Sequence, residues 1–457
     1  MTVVAILYLL NILVPIWLAR RSCIRPGGIE VNHVLMFTFG YLFYWILPMG
    51  IGIFRVAADE PVLRLWFLLF DAISVPNLIL YFLVTLGCYF SFWGGSEWVR
   101  RRLPEPQRRN PRYRRLFFYK NTLNIPLVIG SVLAATYAFL LRGELFTGYT
   151  NPLLTPTESP GRSAFTGVSV SLLSVAIIYA AKLDERMEGD GRFRALLRNH
   201  FFVVYFLVAV LVLSLGGRLY FVSSLIMLLV YRTTYFRRIP VRRMVLIGLI
   251  GVAFAGVAGV VRQGQSLAAG QGLINLATEP IFVGVSLLHF LQANSFEVIK
   301  FPIFLLGYFI NLVPTALLPG KAAYLPDPSD YGYEIFTPLG GVSSFFSFMV
   351  NFGVLGTFAA LFGVGAGLAY LRGRDRTLLY RVIYVMLTGW LGLTFFRDPF
   401  SVSVVKSMFE FSIAEPILLV LGLQVLSTII AASRAPAGDS PEGAPGGADI
   451  ALQGRPE

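Results

Sequence analysis

The chain has 457 residues, 56% of them hydrophobic and only 14% charged, against about 25% charged in soluble domains. This composition excludes the string of soluble domains that the length would suggest at about 150 residues each. The net charge of +13 resembles that of a nucleic-acid binder, but the basic residues stand in short loops between apolar runs, where the positive-inside bias puts them.

A bilayer core about 30 Å thick takes about 20 mostly apolar helical residues to cross. The apolar runs here are continuous, as at 201–215, and do not alternate as in a membrane barrel. In chain order they predict spans at 2–19, 33–54, 77–93, 123–141, 164–181, 201–215, 219–231, 244–261, 279–293, 302–318, 342–371, 379–395 and 412–431. The first run starts at Thr2, and Arg20 and Arg21 follow it. That is the reverse of a cleavable signal peptide, so an uncleaved anchor with its N-terminus outside is expected. The runs 201–215 and 219–231 read as two tilted helices around a tight turn at Gly216 and Gly217. The run 279–293 is the weakest, and losing it alone inverts everything after it. Cys23 lies in a short basic loop and Cys88 inside an apolar run, so neither a disulfide framework nor a metal–cysteine site is expected.

With the N-terminus outside, 29 of the 38 lysines and arginines fall inside: in 20–25, 100–120, 182–198 and 232–243, at Lys300, in 372–381, and at Arg434 and Arg455. The other nine are Arg55, Arg64, Arg142, Arg162, Arg218, Arg262, Lys321, Arg397 and Lys406. The positive-inside bias produces such a split. The expected fold is all-α: a polytopic bundle over residues 1–434 with about 12–13 transmembrane helices. The tail 435–457, rich in Ala, Gly, Pro, Ser and acids, cannot bury a core and is expected to be disordered. Gly248, Gly251, Gly256 and Gly259, and Gly356, Ala360, Gly363 and Gly367, predict close helix packing. The Gly-x-Gly-x-Gly at 363–367 follows no strand, so it reads as packing and not as a dinucleotide loop.

Arg218 follows Gly216 and Gly217, Arg262 follows a span, and Arg397-Asp398 precedes Pro399 in an apolar context. Three arginines on the disfavoured side and at one depth read either as snorkelling side chains or as a cluster gripping an anionic headgroup, since planar bidentate donors suit pyrophosphate oxygens. The outer loop 319–341 carries Asp327, Asp330, Tyr331, Tyr333 and Glu334 among Gly and Pro. Tyrosines that stack on sugar faces and carboxylates that bind hydroxyls fit a carbohydrate; turn residues fit an ordinary solvated loop equally. Glu279 opens a span before Pro280, as a general base or as an acid favoured by the helix dipole. His289 and Glu297 are expected to flank the inner half of that segment, the histidine as a site residue or as a hydrogen-bonded packing group. No Walker loop, HExxH, CxxC, arginine ladder or selectivity-filter motif occurs, and neither a metal nor another cofactor is expected.

These features together resemble the O-antigen and exopolysaccharide repeat-unit polymerases of the Wzy type: many spans, Gly-Gly-Arg at 216–218, a late outer loop, and outer arginines such as Arg262 and Arg397. The resemblance implies a metal-independent glycosyltransferase of the bacterial inner membrane, similar to the C-type membrane glycosyltransferases. Its N-terminus would be periplasmic and its C-terminus cytoplasmic. It would join undecaprenyl-pyrophosphate-linked oligosaccharides on the periplasmic face, among membrane lipids and alongside a flippase and a chain-length regulator of the same pathway. On this reading Arg218, Arg262, Arg397, Asp398, Tyr331 and Tyr333 bind substrate, and Glu279, Asp330 and Glu334 are the catalytic carboxylates. Alternatives are a transferase like the O-antigen ligases, whose outer-loop histidine is not matched by His33, His200 or His289, and a lipid-linked oligosaccharide flippase or secondary transporter.

Overall fold

The structure is a computed structural model. It describes residues 2–56, 63–103, 120–143, 145, 160–184, 200–214, 218–262, 271–302, 304–314, 317–337, 342–374 and 377–434. The 435–457 tail and the Gly216–Gly217 turn lie outside the described residues.

The chain folds as a helical bundle: α1 (Thr2–Cys23), α2 (His33–Phe54), α3 (Arg64–Asp71), α4 (Val75–Arg100), α5 (Asn124–Leu140), α6 (Pro160–Asp184), α7 (His200–Ser214), α8 (Arg218–Tyr235), α9 (Val241–Arg262), α10 (Gln271–Ala293), α11 (Ser344–Gly373), α12 (Leu378–Leu391), a single turn α13 (Thr394–Arg397) and α14 (Ser401–Ser433). Strands β1 (Ile24–Arg25) and β2 (Gly28–Ile29) form the only sheet among the described residues. Among the described residues six helices are long and apolar enough to cross a membrane: α1, α2, α4, Asn121–Leu140, α11 and α14, with shorter apolar helices among α6, α7, α8 and α12. Leu13, Leu249 and Leu418 are exposed on the outside while Asn11, Ser174 and Thr357 are buried inside, the arrangement lipid permits and water disfavours.

Side-chain caps set the starts of α2, α4 and α11. Asn32 accepts from the Val34 and Leu35 amides at α2, Ser74 from Asn77 at α4, and Ser343 from Phe345 at α11, each satisfying amides that have no intrahelical partner. The largest inter-helix packing is α4 on α11. A Cβ on Gly95 or Gly365 would lie under 3.0 Å from the Phe362 or Phe92 carbonyl, so the two backbones touch. Gly363 and Gly367 face open space instead. The close face of α11 therefore runs through Gly365 and not through the expected 356/360/363/367 row. Gly248 and Gly251 also face open space, and the side chains of Gly256 and Gly259 are outside the described residues.

The contacts also fix direction. Gly87 meets Phe358, Gly95 meets Phe362, and Leu103 meets Gly373, so α4 and α11 run parallel. Between them α5 to α9 alternate, and α9 starts beside the β1–β2 hairpin, where Ile239 bridges Ile29. The stretch from α9 to α11 must therefore leave and return to one end of the bundle. It does so because the expected span 302–318 is not an α-helix. Residues Leu305–Leu312 form a 3-10 helix about 16 Å long at 2.0 Å per residue, too short to cross. The preceding segment instead docks into a break in α11. Gly353 has φ 68 and ψ −169, and around it Lys300 N donates to Phe352 O (3.0 Å), Val354 N to Glu297 O (3.1 Å) and Leu355 N to Val298 O (2.9 Å). Backbone groups freed by the break are thereby paired.

Candidate functional site

Two polar clusters form on α10 and the elements around it. The first lies where α13 ends. Phe396 fits over Gly40 of α2, where a Cβ would lie under 3.0 Å from its ring, and packs edge-on against Trp45 (4.9 Å). That anchor holds the next two residues. Arg397 closes α13, and Asp398 turns extended (φ −104, ψ 153) ahead of Pro399, as a residue before proline tends to. The Asp398 carbonyl accepts from Ser344 Oγ (3.0 Å), which also bonds Ser403. The Arg397 guanidinium is ion-paired with Glu279 of α10 and lies 3.2 Å from Asp398 Oδ1. Burial pushes the Asp398 carboxyl up to about 6; Arg397 opposes the rise and Glu279 adds to it. The Arg397–Glu279 pair is about a third exposed (35% and 37%), and such pairs contribute about 0–1 kcal/mol. Stability alone is thus a poor reason for placing it there.

Arg218 begins α8 and Arg262 ends α9, at the same end of the bundle as Arg397; their side chains are outside the described residues.

The second cluster joins the far end of α10 to the loop 319–341, of which 338–341 are not described. Glu279 and His289 are ten residues apart, about 15 Å along the helix. The loop is pinned rather than free. Asn294 Nδ2 donates to Glu334 O (2.8 Å) while Glu334 N donates to Asn294 Oδ1 (2.7 Å). His289 Nε2 is 3.5 Å from the Glu334 carboxylate. Lys300 Nζ donates to Tyr333 OH (2.7 Å), and Tyr331 stacks on Phe304 at 4.2 Å. Lys321 Nζ donates to the Val313 carbonyl (2.7 Å). Beneath the loop an open cavity of about 420 Å³ is lined by Asn294, Ser295, Phe296, Glu297 and Tyr333 among others.

The structure thus gathers Glu279, Arg397 and Asp398 in one place, and Glu334 and Tyr333 in another. Asp330 is exposed on the Pro328–Tyr331 turn and joins neither cluster, and Tyr331 serves mainly to hold the loop on Phe304. Two expectations are corrected. His289 and Glu297 do not flank an inner half, since His289 meets the loop's Glu334. Lys300 does not face the basic end; without a helix at 302–318 it stays with the loop. Among the described residues no group of three or more His, Cys, Asp or Glu could hold a metal ion. The sequence reading missed Ser344, Asn294 and the Lys300–Tyr333 pair. Their pairings span 33 to 54 residues and leave no local pattern.

In comparisons with known proteins, no family model matches the sequence, and neither a curated protein nor a solved structure is significantly similar to it.

Proposed function

We propose that the chain is a metal-independent membrane glycosyltransferase that joins undecaprenyl-pyrophosphate-linked oligosaccharide repeat units into a polysaccharide at the periplasmic face of the bacterial inner membrane. The observation that carries this reading is Arg397, clasped between Glu279 and Asp398 at the bundle end where α8 begins with Arg218 and α9 ends with Arg262. If the Arg218 and Arg262 side chains turn toward this end as well, three arginines meet two carboxylates and positive charge remains for an anion.

In the reaction, an acceptor sugar hydroxyl attacks the anomeric carbon of the donor. The new C–O bond forms as the bond to pyrophosphate breaks, and the leaving group takes the electron pair. Arg397, with Arg218 and Arg262, stabilises the charge that develops there. Asp398 takes the hydroxyl proton. A carboxyl raised to about 6 is ionised at neutral pH and close to the working pH, where a general base performs best. Glu279 then serves to orient Arg397.

The test is the glycan made by a strain that depends on this chain. Deletion should leave single repeat units accumulating on the outer face; their absence from that face would point to a flippase. Arg397→Lys, Arg218→Lys and Arg262→Lys keep the charge but lose the planar fork and should shorten chains. Wild-type chain lengths in all three, at normal expression, would overturn the pyrophosphate clamp.

A further inference from the structure

The cavity under the loop is chemically unlike the Arg397 site. Its wall offers one aromatic platform, the Tyr333 ring, braced by Phe296 at 6.3 Å and nearly parallel to it. Lys300 fixes that ring, with Nζ 2.7 Å from the hydroxyl and 5.0 Å from the ring centre, so this ammonium already has a partner. The remaining polar groups, Glu297 and Ser295, are exposed at the rim and present a carboxylate acceptor and a hydroxyl. An aromatic face beside a carboxylate, with its cation engaged, suits a neutral ring bearing hydroxyls and disfavours a phosphate. A volume of about 420 Å³ holds a small ligand.

Position adds a second point. Arg397 and Asp398 engage α10 at Glu279, whereas the cavity lies beyond His289, about 15 Å along the same helix. A sugar seated there is several residues away from one reacting at Asp398.

Resting on the function proposed above, we infer that this cavity is a remote subsite for neutral sugars of the acceptor chain, with Tyr333 as its platform, Glu297 as its hydroxyl acceptor and Lys300 as a positioning residue. Binding energy from a remote segment raises the rate at the reacting end, and only acceptors long enough to reach the cavity receive it. The subsite therefore acts on elongation and not on the first linkage.

The experiment compares glycan length distributions in strains whose sole copy carries Tyr333→Ala, Glu297→Gln, Tyr333→Phe or Arg397→Ala. Tyr333→Ala and Glu297→Gln should still form two-unit products but lose about tenfold or more of the long chains. Tyr333→Phe, which keeps the ring, should lose less than Tyr333→Ala. Arg397→Ala should stop at single units. Glu297 is exposed, so its substitution reads the subsite even if Tyr333→Ala lowers protein levels. Wild-type distributions in both Tyr333→Ala and Glu297→Gln would overturn the inference, as would single units only, which would put Tyr333 at the reacting centre. Long chains in Arg397→Ala would instead overturn the role of Arg397 at the reacting end, and wild-type glycans in the deletion strain would overturn the glycosyltransferase reading.

Discussion

At the scale of single residues, Asp398 and Glu30 illustrate opposite uses of a buried acid. Burial holds the Asp398 carboxyl up at about 6, above its ordinary 3.8. A raised carboxyl favours folding most when protonated; that contribution is lost as pH rises through about 6. At pH 7 the native state thus holds a charge it disfavours. Asp398→Asn should therefore leave thermal stability at pH 7 equal or higher while lowering activity about 10²–10⁴-fold, the usual contribution of a general base. Wild-type activity should fall as pH drops below about 6. A melting temperature that falls together with activity would mark Asp398 as structural. Glu30, by contrast, is buried against Arg372, whose Nε and Nη2 donate to Oε1 at 2.9 and 2.6 Å. Glu30→Gln leaves that guanidinium buried without its counter-charge, which costs about 3–5 kcal/mol. Glu30→Met with Arg372→Met should recover most of the loss in thermal unfolding; no recovery would mean that Glu30 acts through other neighbours.

At the scale of elements, the α4–α11 contact and the break at Gly353 decide where the site can form. Gly365→Val forces a side chain into the Phe92 carbonyl, and overpacking of this kind costs about 1–3 kcal/mol or more, so yield and melting temperature should both fall. Gly363→Val, two residues away on an open face, should be nearly silent, and equal losses in the two variants would refute the packing assignment. The pair also shows how far the sequence reaches. Apolar runs reveal helices such as α1, α4 and α14 because lipid demands them, but a row of small residues three or four apart fits either face of α11, so spacing alone does not choose the packed face. The run 302–318 is as apolar as a span, yet its Leu305–Leu312 stretch packs as a 3-10 helix against Ser401–Ala414, with Asn311 Nδ2 donating to Ser401 O (2.9 Å). Hydropathy reports that a segment avoids water, whether lipid or protein covers it. Arg397 and Asp398 stood out because charge beside proline in an apolar stretch is conspicuous. Their partner Glu279 was noticed as a helix acid, but the pairing joins residues more than a hundred positions apart and has no local signature.

At the scale of the whole molecule, the loss of 302–318 as a crossing has one measurable consequence. If 279–293 and 302–318 were both spans, the segment between them would face the side opposite to the loop 319–341. In the observed fold, Asn294 binds Glu334 and Lys300 binds Tyr333, so both segments lie at one end of the bundle. The parallel course of α4 and α11 requires the same. No later segment inverts relative to the orientation expected from charge, because one excursion replaces two crossings. Moving Lys300 leaves 28 basic residues facing 10, still the positive-inside pattern. Impermeant maleimide labelling of intact cells tests this directly, because Cys23 and Cys88 are both buried and give little background. Ser295→Cys and Asp330→Cys, both exposed, should label in intact cells. Arg374→Cys and Arg237→Cys, both exposed at the end with Glu30 and Arg372, should label only after the membrane is opened. Labelling of Ser295→Cys only in opened cells, with Asp330→Cys labelled in intact ones, would restore the two crossings and move the cavity to the other face from the arginines. Labelling of neither in intact cells would place the Arg397 site in the cytoplasm, where no periplasmic polymerisation could use it.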